Sequence, residues 1–141
     1  MTQTYGGDQR LAGGDRAAQP CPCGLGEPYG RCCGRYHTGE DAPTAEALMR
    51  SRYSAFAVGD VAYLRRTWHP RTRPRNLDLD PGQRWSGLEI VGGAGGGLFD
   101  TDATVEFRAR YRDDAGRGEL RENSRFVRLD GQWRYLDGTG H

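Results

Sequence analysis

The chain has 141 residues, a formal net charge of +1 at neutral pH and 35% hydrophobic residues. This length suits one compact domain with a small appendage and leaves little room for a second full core. No run approaches the roughly 18 to 20 apolar residues that a membrane span requires, so no membrane protein is expected. The near-neutral charge gives no general indication of nucleic-acid binding.

The first twenty residues are predicted to form a flexible tail. Residues 1–20 carry four glycines, mixed charges and no apolar periodicity. Such a segment cannot bury enough surface to offset the entropy lost on ordering. It also lacks the basic and apolar regions of a secretory signal, so we expect a cytoplasmic protein.

All four cysteines lie in the string CPCGLGEPYGRCC, residues 21–33. Two disulfides are one interpretation, but a bond between adjacent cysteines is strained, and the cytoplasm keeps thiols reduced. The C-x-C-x8-C-C spacing instead places two ligand pairs around a short glycine-containing loop. We therefore predict a metal knuckle over residues 21–37. Its predicted ligands are Cys21, Cys23, Cys32 and Cys33.

Four thiolates suit Zn²⁺, with Zn–S distances of about 2.3 Å, and a closed set of four leaves no coordination position for a substrate. The metal is therefore predicted to be structural. Two alternatives stay open, namely iron in the same site and His37 as a ligand in place of one thiol. Otherwise His37 is expected to be a surface or capping histidine. A catalytic thiol is disfavoured because the four cysteines are better explained as one set.

Two helices are predicted after a short linker at residues 39–43. Thr44 is a suitable N-cap for the first helix, and Gly59 is a suitable end. Asp60 is predicted to cap a second helix that ends before Pro70. Apolar residues fall on one stripe of each helix, which is typical of a buried core.

A basic string, RRTWHPRTRPR at residues 65–75, contains five arginines and no acid. RNA is one interpretation of its partner, with Trp68 as a stacking surface. A solvated basic loop is the preferred interpretation, because Trp68 also fits the apolar stripe of the second helix.

A strand is predicted over residues 85–91, and the glycine run at residues 92–97 is predicted to break it as a flexible turn. The run lacks the Lys-Ser/Thr pair of a phosphate-binding loop. Residues 103–112 alternate between apolar and charged side chains, which is typical of a half-buried strand. Residues 113–118 are predicted to form the turn that follows.

The last two strands are predicted over residues 119–129 and 132–137, joined by a tight Asp-Gly turn. Helices followed by an antiparallel meander give an α+β fold.

Two polar residues of the third strand, Glu122 and Ser124, share a face with Leu120 and Phe126 and are predicted to point toward the helices. One interpretation is a ligand cavity in which a carboxylate or histidine transfers protons. The preferred interpretation is a satisfied internal salt bridge or hydrogen bond. The candidate pocket residues are Tyr53, Trp68, His69, Arg108, Glu122, Ser124, Trp133, Tyr135 and Asp137, of which Glu122, His69 and Asp137 are the proton-transfer candidates.

The string CPCGLGEPYGRCCGRYH resembles a SEC-C motif, the small zinc knuckle of the SecA translocation ATPase. SRYSAF (51–56), TWHP (67–70) and ENSRF (122–126) are similar to recurring segments of the YchJ-like family. The resemblance implies a domain similar to nuclear transport factor 2 over residues 44–138, in which a cone-shaped, curved antiparallel sheet packs on helices. It assigns no reaction.

Two functions follow as hypotheses. A closed knuckle favours a non-enzymatic adaptor that docks onto a protein or ribosomal partner. SEC-C knuckles are similar to modules that engage ribosomes or export chaperones, which implies a role near protein synthesis or export. The alternative is a small-molecule binder or proton-transfer enzyme that uses the pocket of the cone domain. Nucleic acid as a partner is supported only by the basic string.

Overall fold

A helical N-terminal half precedes a four-stranded sheet. The computed structural model describes residues 13–140, with side chains from residue 16 onward. The helices are α1 (Gly13–Ala18), α2 (Cys33–His37), α3 (Ala45–Val58) and α4 (Val61–Arg66), with a 3-10 turn at Tyr29–Arg31. The strands are β1 (Arg84–Gly95), β2 (Asp102–Asp113), β3 (Gly116–Leu129) and β4 (Gln132–Gly140), paired antiparallel in the order β1-β2-β3-β4.

Helix α3 begins and ends where the sequence predicts. The Thr44 side chain accepts a hydrogen bond from the Ala47 amide at 3.1 Å, and Gly59 ends the helix with a left-handed φ of 81°. Glycine adopts this conformation without a Cβ penalty. The apolar stripe of α3 is buried, with Leu48 and Tyr53 at most 3% exposed.

Helix α4 is shorter than predicted. The Asp60 carboxylate caps it by accepting from the Tyr63 amide at 3.0 Å, as expected, but the helix ends at Arg66 rather than near Pro70. The chain then pairs with β4, where the His69 amide donates to Tyr135 O at 2.7 Å and the Tyr135 amide donates to Thr67 O at 2.8 Å. These bonds to the sheet replace the last helical turn.

The predicted break of β1 at the glycine run is wrong, because the strand continues through Gly95. A Cβ added at Gly93 would lie 2.6 Å from Thr104 O, and one added at Gly95 would lie 2.5 Å from Asp102 O. The glycines therefore let β1 approach the backbone of β2 closely. The connection to β2 begins after Gly95.

The remaining strands are longer than predicted. Strand β3 begins at Gly116, so the turn after β2 is tighter than residues 113–118, and β4 runs to Gly140. Asp130 and Gly131 have φ values of 53° and 81°. Two consecutive positive φ angles are typical of a type I′ hairpin turn, which confirms the predicted Asp-Gly turn.

The predicted tail lies partly outside the described residues, namely over residues 1–12. From residue 13 the chain differs from a flexible tail, because Gly13–Ala18 is helical and Pro20 forms an isolated bridge with Pro28. The Tyr29 amide also donates to Gln19 O at 2.8 Å. This segment therefore lies against the knuckle.

The core lies between α3, α4 and the concave face of the sheet. Its large members include Leu48, Leu64, Phe107, Phe126 and Trp133, each at most 5% exposed. Over residues 13–140, none of the helices has the length and hydropathy that a membrane span needs.

Candidate metal centre and cone cavity

Four cysteine side chains converge beside α3. The Sγ atoms of Cys21, Cys23, Cys32 and Cys33 all lie within 4.8 Å of one another. Each residue is at most 5% exposed, and none forms a disulfide. Metal–sulfur bonds of about 2.3 Å in a tetrahedron separate the sulfur atoms by about 3.8 Å. The cluster therefore fits a single metal ion.

Local backbone geometry brings the two cysteine pairs together. The Cys21 amide donates to Glu27 O at 2.9 Å, which closes the loop after the first pair. Gly24 and Gly26 turn that loop with φ values of 84° and 87°. The Cys32 amide donates to Tyr29 O at 3.0 Å, which places the second pair at the start of α2.

The electrostatics of the four thiols favour a bound cation. Hydrogen bonds from Cys23 and Cys33 hold the pKa of Cys21 well below its usual value. The hydrogen bond to Cys21 raises the pKa of Cys33, and burial raises the pKa of Cys32 to about 12. One thiolate thus opposes ionisation of its neighbours, and a metal ion supplies the positive charge that several buried thiolates need.

The knuckle is fixed to the helices of the main domain. Arg50 of α3 donates to Cys23 O at 3.1 Å, and Cys21 Sγ lies 3.6 Å from Ser54 Oγ. Arg66 of α4 donates to the carbonyls of Tyr36 and His37, both at 3.1 Å. An ion held by the four sulfur atoms would therefore be linked to the packing of α3 as well as to the knuckle.

His37 is neither a surface residue nor part of the ligand cluster. Its side chain is 3% exposed, Nε2 donates to Ser51 O at 2.8 Å, and Nδ1 lies 2.5 Å from Tyr29 Oη. Burial lowers the pKa of His37. The expected surface or capping role is thus wrong, because the ring connects the knuckle to α3.

A second feature is a cavity of about 410 Å³ between α3 and the concave face of the sheet, which we call the cone cavity. Seven of its fifteen lining residues are aromatic, and five others carry polar or charged side chains. Its lining residues are Met49, Arg52, Tyr53, Phe56, Trp68, Gln83, Trp85, Phe107, Ala109, Tyr111, Glu119, Leu120, Glu122, Ser124 and Tyr135.

A fixed carboxylate lies in the wall of the cone cavity. Glu122 Oε2 accepts hydrogen bonds from Ser124 Oγ at 2.6 Å and from Tyr135 Oη at 3.2 Å. The carboxylate lies over Gly138, where an added Cβ would overlap it. The hydroxyl groups and the glycine together set the position of the Glu122 side chain.

A buried cation lies in the same wall. Arg52 is 4% exposed, and its Nη1 donates to Leu64 O and to Thr67 Oγ1, both at 2.8 Å. The guanidinium lies 4.9 Å from the Trp68 ring centre and 4.5 Å from that of Tyr135. Burial lowers the pKa of Arg52 to about 10, so the side chain stays charged at neutral pH.

The structure brings five of the nine predicted pocket residues together in the cone cavity and places four elsewhere. The five are Tyr53, Trp68, Glu122, Ser124 and Tyr135.

Arg108 and Asp137 lie on the outer face of the sheet. Arg108 alternates with inward-facing residues of β2 and lies 3.9 Å from Glu89. A bulge in the β3–β4 pairing sets Phe126 opposite Tyr135 but Arg125 opposite Asp137, so Asp137 faces outward. Its two carboxylate oxygens accept from Arg125, both at 2.6 Å.

His69 and Trp133 also lie outside the cone cavity. His69 Nδ1 accepts from the Arg71 amide at 3.0 Å within its own loop. Trp133 is buried toward the other end of the sheet, beneath the Arg128 guanidinium at 4.5 Å. The cavity therefore holds no histidine among the described residues, and of the three proton-transfer candidates Glu122 alone lines it.

Sequence reasoning missed three important lining residues, Arg52, Trp85 and Tyr111. Tyr111 shares the inward parity of Phe107 and Ala109, so the alternation of β2 could have found it. Arg52 follows Leu48 by one helical turn and falls on the buried stripe of α3. Trp85 carries no such signal, because β1 is irregular on both sides of Gly87–Ile90.

The basic string is held by its own arginines. Arg65 donates to Pro74 O at 2.8 Å and to Arg75 O at 3.1 Å, and Arg73 donates to Trp68 O at 3.0 Å. These guanidinium groups stabilise the loop by bonding its carbonyls.

A surface groove runs beside the knuckle and has a volume of about 680 Å³; we call it the knuckle groove. Its wall includes Leu25 of the knuckle loop, Tyr36 of α2 and Val91 of β1. Leu25 is 55% exposed and Val91 is 42% exposed. The groove thus presents apolar side chains next to the candidate metal centre.

Comparison with known families matches both parts of this architecture. Residues 44–138 match the family described as YchJ, middle NTF2-like domain, and residues 18–35 match the SEC-C motif. The chain belongs to the YchJ-like family. Similar proteins include a UPF0225 protein of Streptomyces coelicolor, 63% identical over 84% of this chain and 94% of the relative. A UPF0225 protein of Deinococcus radiodurans is 52% identical over 86% of this chain and 89% of the relative.

Two solved structures share the fold of this YchJ-like chain. The solution structure of a SEC-C motif containing protein from Rhodopseudomonas palustris has a TM-score of 0.75 at 32% identity, covering 87% of this chain and 99% of that one. The crystal structure of a SEC-C motif containing protein from Psychrobacter arcticus has a TM-score of 0.72 at 32% identity, covering 89% and 85%. The predicted α+β cone fold with an N-terminal knuckle is confirmed.

Proposed function

We propose that the protein binds a small organic molecule in the cone cavity and uses the metal knuckle as a structural support. The observation that carries this proposal is an aromatic-lined volume of about 410 Å³ beside a fixed carboxylate. Protein interiors leave few voids larger than a water molecule. Ligand pockets of about 300–1,000 Å³ are typically apolar with a few placed polar groups.

Binding is favoured over proton transfer. Two of the three proton-transfer candidates, His69 and Asp137, lie outside the cavity, and Asp137 is bonded to Arg125. Glu122 Oε2 is instead held by two hydroxyl groups. A carboxylate fixed in this way suits recognition of a donor on a ligand.

We further propose that the knuckle metal is Zn²⁺. Four thiolates form a closed tetrahedral set for zinc, and such sites stabilise folds without taking part in reactions. Four reduced, clustered thiols also fit a reducing compartment, so we propose a cytoplasmic location. Elemental analysis of freshly purified protein tests the assignment, with one zinc per chain expected. A stoichiometric iron content would instead assign iron.

Nitrogen–proton correlation spectra of the metal-loaded protein test ligand binding. Small aromatic fragments of neutral, anionic and cationic charge are titrated while the three indole signals are followed. Trp68 and Trp85 line the cavity and are expected to shift, whereas Trp133 lies outside it and serves as an internal control. Failure of all fragments to shift the Trp68 and Trp85 signals would contradict the proposal.

A matched pair of variants locates the binding. Ala109 is 1% exposed in the cavity wall, so Ala109→Phe fills the cavity and is expected to abolish the shifts. Ala62→Phe adds the same ring on the exposed side of α4 and is expected to leave them unchanged. Equal effects of the two variants would place the binding elsewhere.

The knuckle groove supports a second candidate function, an adaptor that docks a protein or ribosomal partner. Leu25 and Val91 both expose apolar surface in this one groove, and apolar patches that are contiguous are typical of contact sites. Co-sedimentation with purified ribosomes and affinity capture from lysate test this role. Leu25→Asp is expected to abolish association, whereas Arg31→Ala, in the 3-10 turn that follows this loop, is expected to leave it intact. Equal recovery with both variants would contradict the adaptor role.

A further inference from the structure

We propose that the ligand of the cone cavity is an organic cation, such as a methylated or aromatic amine. This inference rests on the proposed small-molecule function. It comes from two features of one cavity wall, namely a cluster of aromatic rings that binds no protein cation and the carboxylate of Glu122.

The inner end of the cavity already shows how its rings stabilise positive charge. The Arg52 guanidinium lies 4.9 Å from the Trp68 ring centre and 4.5 Å from that of Tyr135. Cations within about 6 Å of an aromatic ring centre are attracted by the ring quadrupole, most strongly where water is excluded. At this end, the protein supplies its own cation.

The outer part of the cavity has a second set of rings around Trp85. The Trp85 ring centre lies 6.0 Å from that of Tyr53, 6.2 Å from that of Phe56 and 5.5 Å from that of Tyr111. Over residues 16–140, the arginines that stack on rings contact other aromatic residues. The Trp85 set therefore has the composition of a cation-binding cage without a cation of its own.

The wall contains one inward-facing acid. The charged lining residues are Arg52, Glu119 and Glu122. Glu119 lies opposite the outward-facing Arg110 of β2, 3.9 Å from its guanidinium, so its charge faces away from the cavity. Glu122 forms no ion pair within residues 16–140. Arg52 interacts with it only at longer range, where the larger effect of burial lowers the pKa of Arg52 and the carboxylate raises it. The Glu122 carboxylate is therefore the acid of the wall that a ligand cation would pair with directly.

The probe is choline, compared with dimethylbutanol, the neutral carbon isostere of the same shape. Both are titrated into the metal-loaded full chain, and the Trp85 indole signal is followed. We expect choline to shift this signal and dimethylbutanol to bind about tenfold more weakly, since a desolvated cation–π contact contributes about as much as a tenfold change in affinity.

Variants test the role of the carboxylate. Glu122→Gln keeps the shape but removes the charge, and we expect it to weaken choline about tenfold while leaving dimethylbutanol unchanged. Glu89→Gln, on the outer face of the sheet, is the matched control and is expected to have no effect. Thermal unfolding and the Trp133 signal report whether each variant is folded.

A second variant applies if Glu122→Gln fails to fold. Tyr111→Leu removes one ring of the Trp85 set and is expected to weaken the binding of choline.

The outcomes separate the two proposals. Equal binding of choline and dimethylbutanol at the cavity would overturn the cation inference and leave the small-molecule function standing. Binding of neutral or anionic fragments without binding of choline would also overturn the cation inference and leave the small-molecule function standing. If no fragment of any charge shifts the Trp68 and Trp85 signals, the proposed function fails and the cation inference fails with it.

Discussion

The metal knuckle and the cone cavity use buried polar groups in opposite ways. In the knuckle, four sulfur atoms within 4.8 Å of one another face a common centre with room for a single ion. In the cone cavity, polar groups are fixed to the wall, and about 410 Å³ remains open. The first arrangement is complete once it holds its ion, whereas the second leaves space for a molecule from outside.

This difference shows that burial of polar groups does not by itself indicate their role. The cysteines converge on one another, so their geometry suits a bound ion that would stabilise the fold. Glu122 and Arg52 share one cavity wall and interact electrostatically, but they form no direct ion pair, so the carboxylate stays available for direct recognition of a ligand. Variants that change the cavity wall or remove one of the four cysteines therefore test this difference directly.

The largest expected effect is that of Cys33→Ser. Loss of one thiolate removes a metal ligand, and structural zinc contributes about 10–16 kcal/mol of apparent binding free energy in small zinc modules. We expect metal content to fall from one ion per chain to near zero and the unfolding free energy to fall by about 3 kcal/mol or more. Elemental analysis and urea denaturation measure both. Arg31→Ala, at an exposed knuckle position, is the control, and an unchanged metal content in Cys33→Ser would contradict a four-cysteine site.

Arg52→Met is expected to destabilise the protein by about 2–3 kcal/mol, because the carbonyl of Leu64 and the hydroxyl of Thr67 lose a charged donor. Urea denaturation measures the change. The exposed Arg112→Met is expected to change stability little. Similar losses of stability in both variants would show that Arg52 is not a structural cation. They would also weaken the distinction between the rings that contact Arg52 and the rings around Trp85.

Gly138→Ala is expected to have a smaller effect on stability, about 1 kcal/mol, because the added methyl group displaces the Glu122 carboxylate from its two hydroxyl donors. Choline binding is expected to weaken, as is expected for Glu122→Gln. At Gly140 the nearest atom to an added Cβ is Arg121 O at 3.8 Å, so Gly140→Ala is the control. Full ligand binding by Gly138→Ala would show that the carboxylate position is unimportant.

The smallest expected effect is a pH dependence that arises at His37. Burial lowers its pKa, so the unfolded chain takes up a proton at a higher pH than the folded one. Stability from neutral His37 is therefore present above the unfolded pKa of about 6.5 and is lost as the pH falls below it. Urea denaturation at about pH 7.5 and about pH 5.5 should show a smaller acid loss in His37→Gln than in the natural protein. Equal losses in both proteins would contradict this assignment.

Much of the knuckle could be predicted from the sequence because its determinants are local. The ligands lie within thirteen residues of one another, and the caps at Thr44 and Asp60 act within one helical turn. His37 was misjudged because its partners include Ser51, fourteen residues away in α3. A contact of that kind depends on how the knuckle packs, which local spacing does not reveal.

The cavity was predicted less well because its wall depends on strand register. One additional residue in β4, Leu136, is enough to turn Asp137 outward while Tyr135 stays inside. The composition of the glycine run in β1 predicts a turn. The run is instead part of the strand, because the backbone of β2 lies too close to Gly93 and Gly95 to leave room for a side chain. Alternation predicts faces only between irregularities, and β1 and β4 both contain them.

All twenty basic residues of the chain are arginine. At the last two residues of α4, the contacts of the side chain depend on this choice of arginine over lysine. Arg65 and Arg66 each reach two carbonyl oxygens with one terminal nitrogen of a rigid, planar fork. A lysine ammonium is a strongly hydrated point charge on a flexible stem, and it would lose more hydration in the same contacts. Substitution of arginine by lysine should therefore change the stability of the protein little on the outer face of the sheet and lower it at Arg65 and Arg66.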